Sequence, residues 1–285
     1  MVKIGTWLKT AAATLSSAGI PSSRLDSLIL TEFSLGIDRA KLLSEPAQEI
    51  SSEDEAKLNN LLNRRAAHEP IAYIRGYTEF YGRNFVITPA VLEPRPETET
   101  MIELLLKLVG SDDSGLQRDK DLLILDVGTG SGALGITAQL ELPEAQVDLI
   151  EIDEQAIQVA KTNVDKFTSG INIVKSDLLE GCPSDYVILL CNLPYVPDDY
   201  QINHAAGHEP RLAIFGGPDG LDLYRKLFRQ IASRTNQPLY ILTESLPPQH
   251  EALTSIATEY GYKLQETDSF VQVFKLSAKS KLNSD

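Results

Sequence analysis

Cysteine is nearly absent from this chain: 285 residues hold two, Cys182 and Cys191. Both lie in or beside apolar stretches, and two at that spacing build neither a disulfide scaffold nor a thiolate metal site. Reduced, buried thiols are expected. Histidine is scarce too, at four (His68, His204, His208 and His250). His204 and His208 have helical spacing, but no HExxH pattern surrounds them, so no metal is expected. No apolar run approaches the length of a membrane span. The opening MVKIGTWLKTAAATL carries lysines and alanines, yet lacks the long apolar core and A-x-A site of a cleaved signal. Its apolar residues Trp7, Leu8, Ala12 and Leu15 recur at helical spacing, which predicts the first helix of a cytoplasmic protein. Basic residues are in deficit, 26 against 40 acidic, for a net charge of -14. Such a surface repels phosphate backbones unless a local patch overrides it, which weighs against a nucleic-acid substrate. Internal repeats and low-complexity segments are missing as well.

What is present divides into two kinds of pattern. Residues 1–72 read as helices only. Leu25, Leu28, Ile29 and Phe33 share a face, with Ser23 and Asp26 in a weak capping-box arrangement and Gly36 at the end. A further helix begins near Ser52, with Glu55 in the box position and Leu58, Leu61 and Leu62 as its apolar stripe. Pro70 closes a small helical bundle. Residues 71–88, IAYIRGYTEFYGRNFVIT, are aromatic and β-branched with glycines at 76 and 82, which predicts a hairpin or two short strands connecting domains; residues 73–92 are expected as a hairpin linker. In EPRPETE, Pro94 and Pro96 exclude a regular element before Glu97, where a helix opens. Residues 110–120 read as a polar surface loop.

From residue 121 the chain alternates strand and helix. Strands are expected at 122–127, 146–150, 171–174, 186–191, 239–243, 262–266 and 270–276. Helices centre on Ala138, Val159, Leu227 and Leu253. Apolar strands alternating with amphipathic helices give an α/β, Rossmann-like sheet, mostly parallel and covered on both faces. The last two strands have no helix between them and must pair as a hairpin, giving one antiparallel strand at the sheet edge. Residues 93–285 form this second domain.

LLILDVGTGSGALGI, residues 122–136, places Gly128, Gly130 and Gly132 between a buried strand and a helix. Glycines there let the backbone turn sharply and approach a ligand closely. Glu151 lies 19 residues beyond Gly132 at the next strand end, where a carboxylate can accept from two ribose hydroxyls. Asp153 is a rival for that role or a cap for the next helix. The spacing is G-x-G-x-G, not the G-x-G-x-x-G of a dinucleotide fingerprint, which sets a pyrophosphate on a helix N-terminus. Asp126 stands just ahead of the loop. An acid at that place suits a ligand with a sulfonium and an ammonium, as in S-adenosylmethionine. Asp177 and Leu178 follow the third strand, where Asp177 can take an adenine amino group and Leu178 can flank the ring.

YVILLCNLPYVP, residues 186–197, ends an apolar strand with Asn192, Leu193, Pro194 and Tyr195, where ligands bind in open sheets. A carboxamide or aromatic amine is a poor nucleophile, but both of its N–H groups can be held by acceptors. The Asn192 side-chain oxygen is one and the Leu193 backbone oxygen the other. That aims the nitrogen along the sulfur–methyl bond and favours the positive charge it develops. Tyr195 would pack against the flat group and exclude water. The loop fits a planar NH₂ donor, whether glutamine, adenine or cytosine. The following PDDYQINHAAGHEP has no basic run, which favours a protein or small-molecule amide over a flipped base.

EPIAYIRGYTEFYGRNFVI, EPRPETE, DVGTGSG (126–132), SDLL (176–179) and EPRLAIFGGPDGLDLY (209–224), in this order, resemble the release factor glutamine methyltransferases, the PrmC/HemK family. The resemblance implies an N-terminal helical domain that recognises release factors and an S-adenosylmethionine-dependent domain. It further implies methylation of the side-chain nitrogen of the glutamine in the Gly-Gly-Gln loop of class I release factors. A monomer is expected. Carried over, Asn192 and Leu193 would bind the glutamine amide, Pro194 shape the loop, and Tyr195 complete the pocket. Gly128, Thr129, Gly130, Ser131, Gly132, Glu151, Leu178 and an edge of Asn192 would hold the cofactor. Arg95 and Glu99 would shape the cleft or form an ion pair. The family writes Asn-Pro-Pro-Tyr where this chain has Leu193, and aspartate where it has Glu151. The competing expectations are an N-methyltransferase for an exocyclic base amine, and a translation-factor-binding protein with weakened catalysis.

Overall fold

A computed structural model describes residues 1–116, 121–167, 170–182 and 185–277. Residues 117–120 of the expected surface loop lie outside the described residues. The chain divides into two compact units: Met1–Tyr77 with Ile202–His208, and Thr78–Gln201 with Glu209–Asp285.

The first unit is helical. A two-stranded antiparallel pair, β1 (Val2–Lys3) and β2 (Glu49–Ile50), ties its start to its middle. The helices are α1 (Ile4–Ser17), α2 (Ser23–Leu35), α3 (Arg39–Ser44), α4 (Ser52–Ala66) and α5 (Ile71–Arg75). Ile4, Trp7, Ala11 and Leu15 recur at helical spacing on α1 and are buried with Leu58 and Leu62 of α4. The Trp7 indole N–H, which needs a partner once buried, donates to Asn59. Two start signals resolve differently from expectation. Asp26 is buried and accepts from Arg65 of α4 at 2.7 Å instead of capping α2. Ser51, one residue ahead of Ser52, caps α4 by accepting from the Asp54 backbone N–H. The start of the 71–88 segment is also helix, not strand. Pro70 suits the first position before a helix, and Gly76, at φ +77°, ends it after one turn that buries Ala72, Tyr73 and Ile74.

A hairpin follows, β3 (Tyr77–Phe80) and β4 (Arg83–Val86), turned at Tyr81–Gly82. Both turn residues have positive φ, as a two-residue hairpin loop of matching twist requires. The second unit is then built on seven strands: β5 (Leu123–Val127), β6 (Gln146–Glu151), β7 (Ile173–Lys175), β8 (Ile188–Cys191), β9 (Tyr240–Glu244), β10 (Tyr262–Asp268) and β11 (Val271–Leu276). Their order is β10-β11-β9-β8-β5-β6-β7, parallel except where β11 pairs antiparallel with both neighbours. The antiparallel strand therefore lies one in from the edge, with β10 outermost. Helices α6 (Glu99–Gly110), α7 (Ala133–Glu141), α8 (Glu154–Phe167), α9 (Asp222–Ala232) and α10 (His250–Glu259) cover the faces. Two apolar clusters result: one around α6, α7, Phe80 and Phe85, the other around α9 and α10. On α9 the buried residues are Tyr224, Leu227, Phe228 and Ile231, a single helical stripe. Cys182 and Cys191 are both buried.

Candidate active site

The parallel order reverses between β5 and β8, and a crevice opens outside the carboxyl ends of strands at such a point. A cavity of about 200 Å³ lies there, wholly within the second unit. Its lining takes in Asp126, Gly128, Thr129, Gly130 and Ser131 after β5, Glu151 at the end of β6, Asp177 and Leu178 after β7, and Asn192, Leu193 and Pro194 after β8. Eleven residues singled out from sequence thus share one wall system. Gly132 does not line it; at φ +82° it starts α7. Tyr195 does not line it either.

The charge of the lining decides which ligand it suits. Four carboxylates border the cavity, Asp126, Glu151, Asp153 and Asp177, and no lysine, arginine or histidine does among the described residues. A pyrophosphate would meet like charge there, whereas a cationic ligand would not. Asp126 is fully buried; its Oδ2 accepts from the Thr129 hydroxyl and from the Gly135 backbone N–H at 2.9 Å. Burial, reinforced by nearby Glu151, pushes its pKa up to about 6 against those two hydrogen bonds. Glu151 accepts from Gly130 N–H through one oxygen at 2.9 Å, and from the N–H groups of Ile152 and Asp153 through the other. The glycine loop and the ribose-side acid are therefore braced on each other. Asp153 caps α8 through the N–H groups of Gln155 and Ala156. Asp177 pairs with Lys226.

Several residues that hold the cofactor side gave no sequence signal. Gly135 sits inside α7, where an added Cβ would lie 2.2 Å from Leu149 Cδ2 and 2.8 Å from Asp126 Cβ. Only glycine lets that helix approach the sheet closely enough for its N–H to reach Asp126. Asn163 of α8, fully buried, donates to the carbonyls of Val86 and Ser131 and accepts from Val86 N–H. It clamps the hairpin to the glycine loop.

On the acceptor side, Asn192 is half-buried, and its Nδ2 donates to Thr98 Oγ1 at 2.9 Å. Leu193 is almost fully buried, and its side chain packs toward Gly128. The Tyr195 hydroxyl donates to Glu244 Oε1 at 3.0 Å, so its ring is fixed behind the loop and not over the cavity. Burial and the Glu244 charge push its pKa far up. Glu244, at the end of β9, is itself buried, and desolvation raises its pKa, while Thr98, Tyr195 and Asn192 favour its charged form. Behind the loop, Gln249 donates to the Tyr195 carbonyl at 2.7 Å, and the backbone of Val196 pairs with Ile214 and Gly216. Gly220, at φ +80°, lies so close that a Cβ would fall 2.0 Å from the Tyr195 carbonyl oxygen. The segment FGGPDG, recognised only as a block, is thus the mould of the acceptor loop.

Arg95 and Glu99 do not pair with each other. Arg95 donates to Glu209 at 2.6 Å, and Glu99 accepts the backbone N–H of Tyr81 at 2.7 Å.

Comparison with known proteins accords with this geometry. Residues 6–76 match the family described as PrmC N-terminal domain, and residues 104–209 match the family described as Methyltransferase small domain. A release factor glutamine methyltransferase of Koribacter versatilis (strain Ellin345) is 36% identical over 222 residues, which is 76% of this chain and 77% of that protein. The chain belongs to the release factor glutamine methyltransferase family. Another member, from Coxiella burnetii, is 33% identical over 84% of this chain and 85% of its own length. Among solved structures, the catalytic domain of hMettl16 in complex with an RNA hairpin aligns with a TM-score of 0.53 at 14% identity, over 81% of this chain and 83% of that one. The likeness is one of fold alone.

Proposed function

We propose that this chain transfers the methyl group of S-adenosylmethionine to the side-chain amide nitrogen of the glutamine in the Gly-Gly-Gln motif of class I release factors. The observation that carries the reading is Asn192: its Nδ2 is turned to Thr98, and its side chain lines the same cavity as Gly128, Gly130 and Glu151. With the nitrogen engaged behind, the amide oxygen is left to accept from a substrate N–H.

The residues present fit the cofactor. The charged side chains of the lining are all acidic, which suits its cations, and Glu151 stands at the strand end with lone pairs to spare for ribose hydroxyls. Bound there, S-adenosylmethionine supplies an electrophilic methyl group on a sulfonium. Asn192 Oδ1 and the Leu193 carbonyl hold the two N–H groups of the glutamine amide and orient its nitrogen. As the nitrogen becomes positive, both acceptors strengthen their hydrogen bonds, which stabilises the transition state. The proton leaves after methyl transfer, so a strong general base is not needed. Leu193 and Pro194 wall off the reacting atoms from water.

The partner is a release factor, recognised through the helical unit, and the enzyme works as a monomer in the cytoplasm. No described helix is long and apolar enough to cross a membrane. A base amine in RNA or DNA is the weaker reading: residues 1–77 hold nine basic and nine acidic side chains, while the rest of the chain holds 17 and 31. That charge repels a phosphate backbone from the part of the chain that carries the cavity. Incubation with methyl-labelled cofactor tests this. Label should enter a class I release factor and should not enter its Gly-Gly-Gln→Gly-Gly-Ala variant. Label in RNA and none in release factor would contradict the reading.

A further inference from the structure

Glu244 is an oddity that methyl transfer as described does not use. It is 1% exposed, and only one of its carboxylate oxygens, Oε1, has a well-aligned donor, the Tyr195 hydroxyl. Its buried Oε2 has none. A buried carboxyl oxygen without a partner costs stability, and its retention calls for a reason. The neighbours suggest one. The side chains of Thr98 and Asn192 stand close enough to favour the carboxylate's charged form. Thr98 is itself 3% exposed, and its hydroxyl already accepts from Asn192 Nδ2.

We propose that Glu244 is a positioning residue that sets which way round the Asn192 amide faces. The argument rests on the assignment of Asn192 as the amide-binding residue, and it follows from donor and acceptor inventory. Thr98, Tyr195 and Asn192 favour the charged form of Glu244 against desolvation, and a charged carboxylate can only accept. A hydroxyl beside it turns its single hydrogen toward the charge and keeps its lone pairs for other donors. Thr98 is then an acceptor toward Asn192, which must present NH₂ to Thr98 and oxygen to the cavity. Without the fixed acceptor at the far end, Thr98 can donate to the Asn192 oxygen equally well. The amide then flips and offers NH₂ to a substrate NH₂, which is a repulsive pairing. An asparagine alone cannot choose between these states, because its two ends have the same shape. Charge-assisted bonds at one end make the chain directional. Tyr195, bonded to the same carboxylate, ties the acceptor loop to this arrangement.

The test uses the full chain, release factor and saturating cofactor. Thr98→Val should lower kcat at least tenfold with cofactor affinity unchanged, whereas Thr98→Ser, which keeps the hydroxyl, should retain most of it. Glu244→Gln, whose terminal amide no longer dictates direction, should lower kcat to a similar degree. The double variant should be no worse than either single one, because the same chain is already cut. Full kcat in Glu244→Gln, or effects that multiply in the double variant, would overturn the proposal. The Asn192 side-chain NH₂ resonances, assigned by their loss in Asn192→Asp, give a readout without turnover. They should shift in both Glu244→Gln and Thr98→Val, and unmoved signals would also overturn it. If the native enzyme fails to methylate a release factor, the proposed substrate falls while these resonances still decide the role of Glu244.

Discussion

At the scale of single residues, the proposed function divides the work of the site between Asn192 and Asp126. Asn192 is the proposed acceptor-side residue, and Asn192→Ala should lower kcat by about 10²–10³, the range for removing one preorganised hydrogen-bonding group from a reacting centre. Cofactor affinity should stay within about threefold of native, measured by titration calorimetry; an equal loss of both would place Asn192 in the cofactor site instead. Asp126 is the proposed partner of the cofactor's cations. Its folded pKa, about 6, lies above its ordinary 3.8, so the folded state holds the extra proton between these values. Its contribution to stability is therefore present below about pH 4 and lost as pH rises to about 6, a change on the order of 3 kcal/mol. A bound cation prefers the ionised form. Cofactor affinity should accordingly rise from pH 5 to pH 7 and then level off, while Asp126→Asn should be weaker at pH 7 and flat. Calorimetry across that range checks both, and a flat profile in the native protein would contradict the assignment.

At the scale of elements, strands and helices of the sheet were legible because buried strands read as apolar runs and covering helices as stripes. LLILDV and YVILLC are uninterrupted for that reason, and their loops mark the two ends of the site. The glycine triplet and Asn192 were legible because they sit where those runs stop. What stayed hidden acts at a distance in sequence. Thr98, Asn163 and Glu244 reach Asn192, Ser131 and Tyr195 across 94, 32 and 49 residues, and local pattern holds no trace of such pairs. Position in the loop alone puts Tyr195 beside Asn192, Leu193 and Pro194 at the cavity; the buried Glu244 carboxyl draws its hydroxyl the other way. Residues 71–75 were read as strand because aromatic and β-branched residues favour strands, but Pro70 and Gly76 bracket a single helical turn. The mould of the acceptor loop yields its own prediction. Gly220→Ala puts a methyl group 2.0 Å from the Tyr195 carbonyl oxygen and 2.4 Å from Gln249 Nε2, at a φ of +80°. The loop must shift. Stability should fall by about 3 kcal/mol, and the thermal midpoint by roughly 6–12 °C. Turnover should fall more than cofactor binding. A native midpoint and native turnover in Gly220→Ala would show that the loop does not need this mould.

At the scale of the whole molecule, one sheet brings a cavity bordered by carboxylates and the strand tip carrying Asn192 to adjacent carboxyl ends, and a separate helical unit carries the residues matched by the PrmC N-terminal domain. The fold alone is shared with RNA-binding methyltransferases of low identity, so it does not choose the substrate. Family membership and the charge of the catalytic part do. The most direct measurement is tandem mass spectrometry of a class I release factor after incubation with enzyme and S-adenosylmethionine, beside the same reaction run with Asn192→Ala. The account predicts one added methyl group, on the glutamine of Gly-Gly-Gln and on no other residue, and almost none with the variant. An unmodified glutamine under native enzyme, or equal methylation by Asn192→Ala, would contradict it.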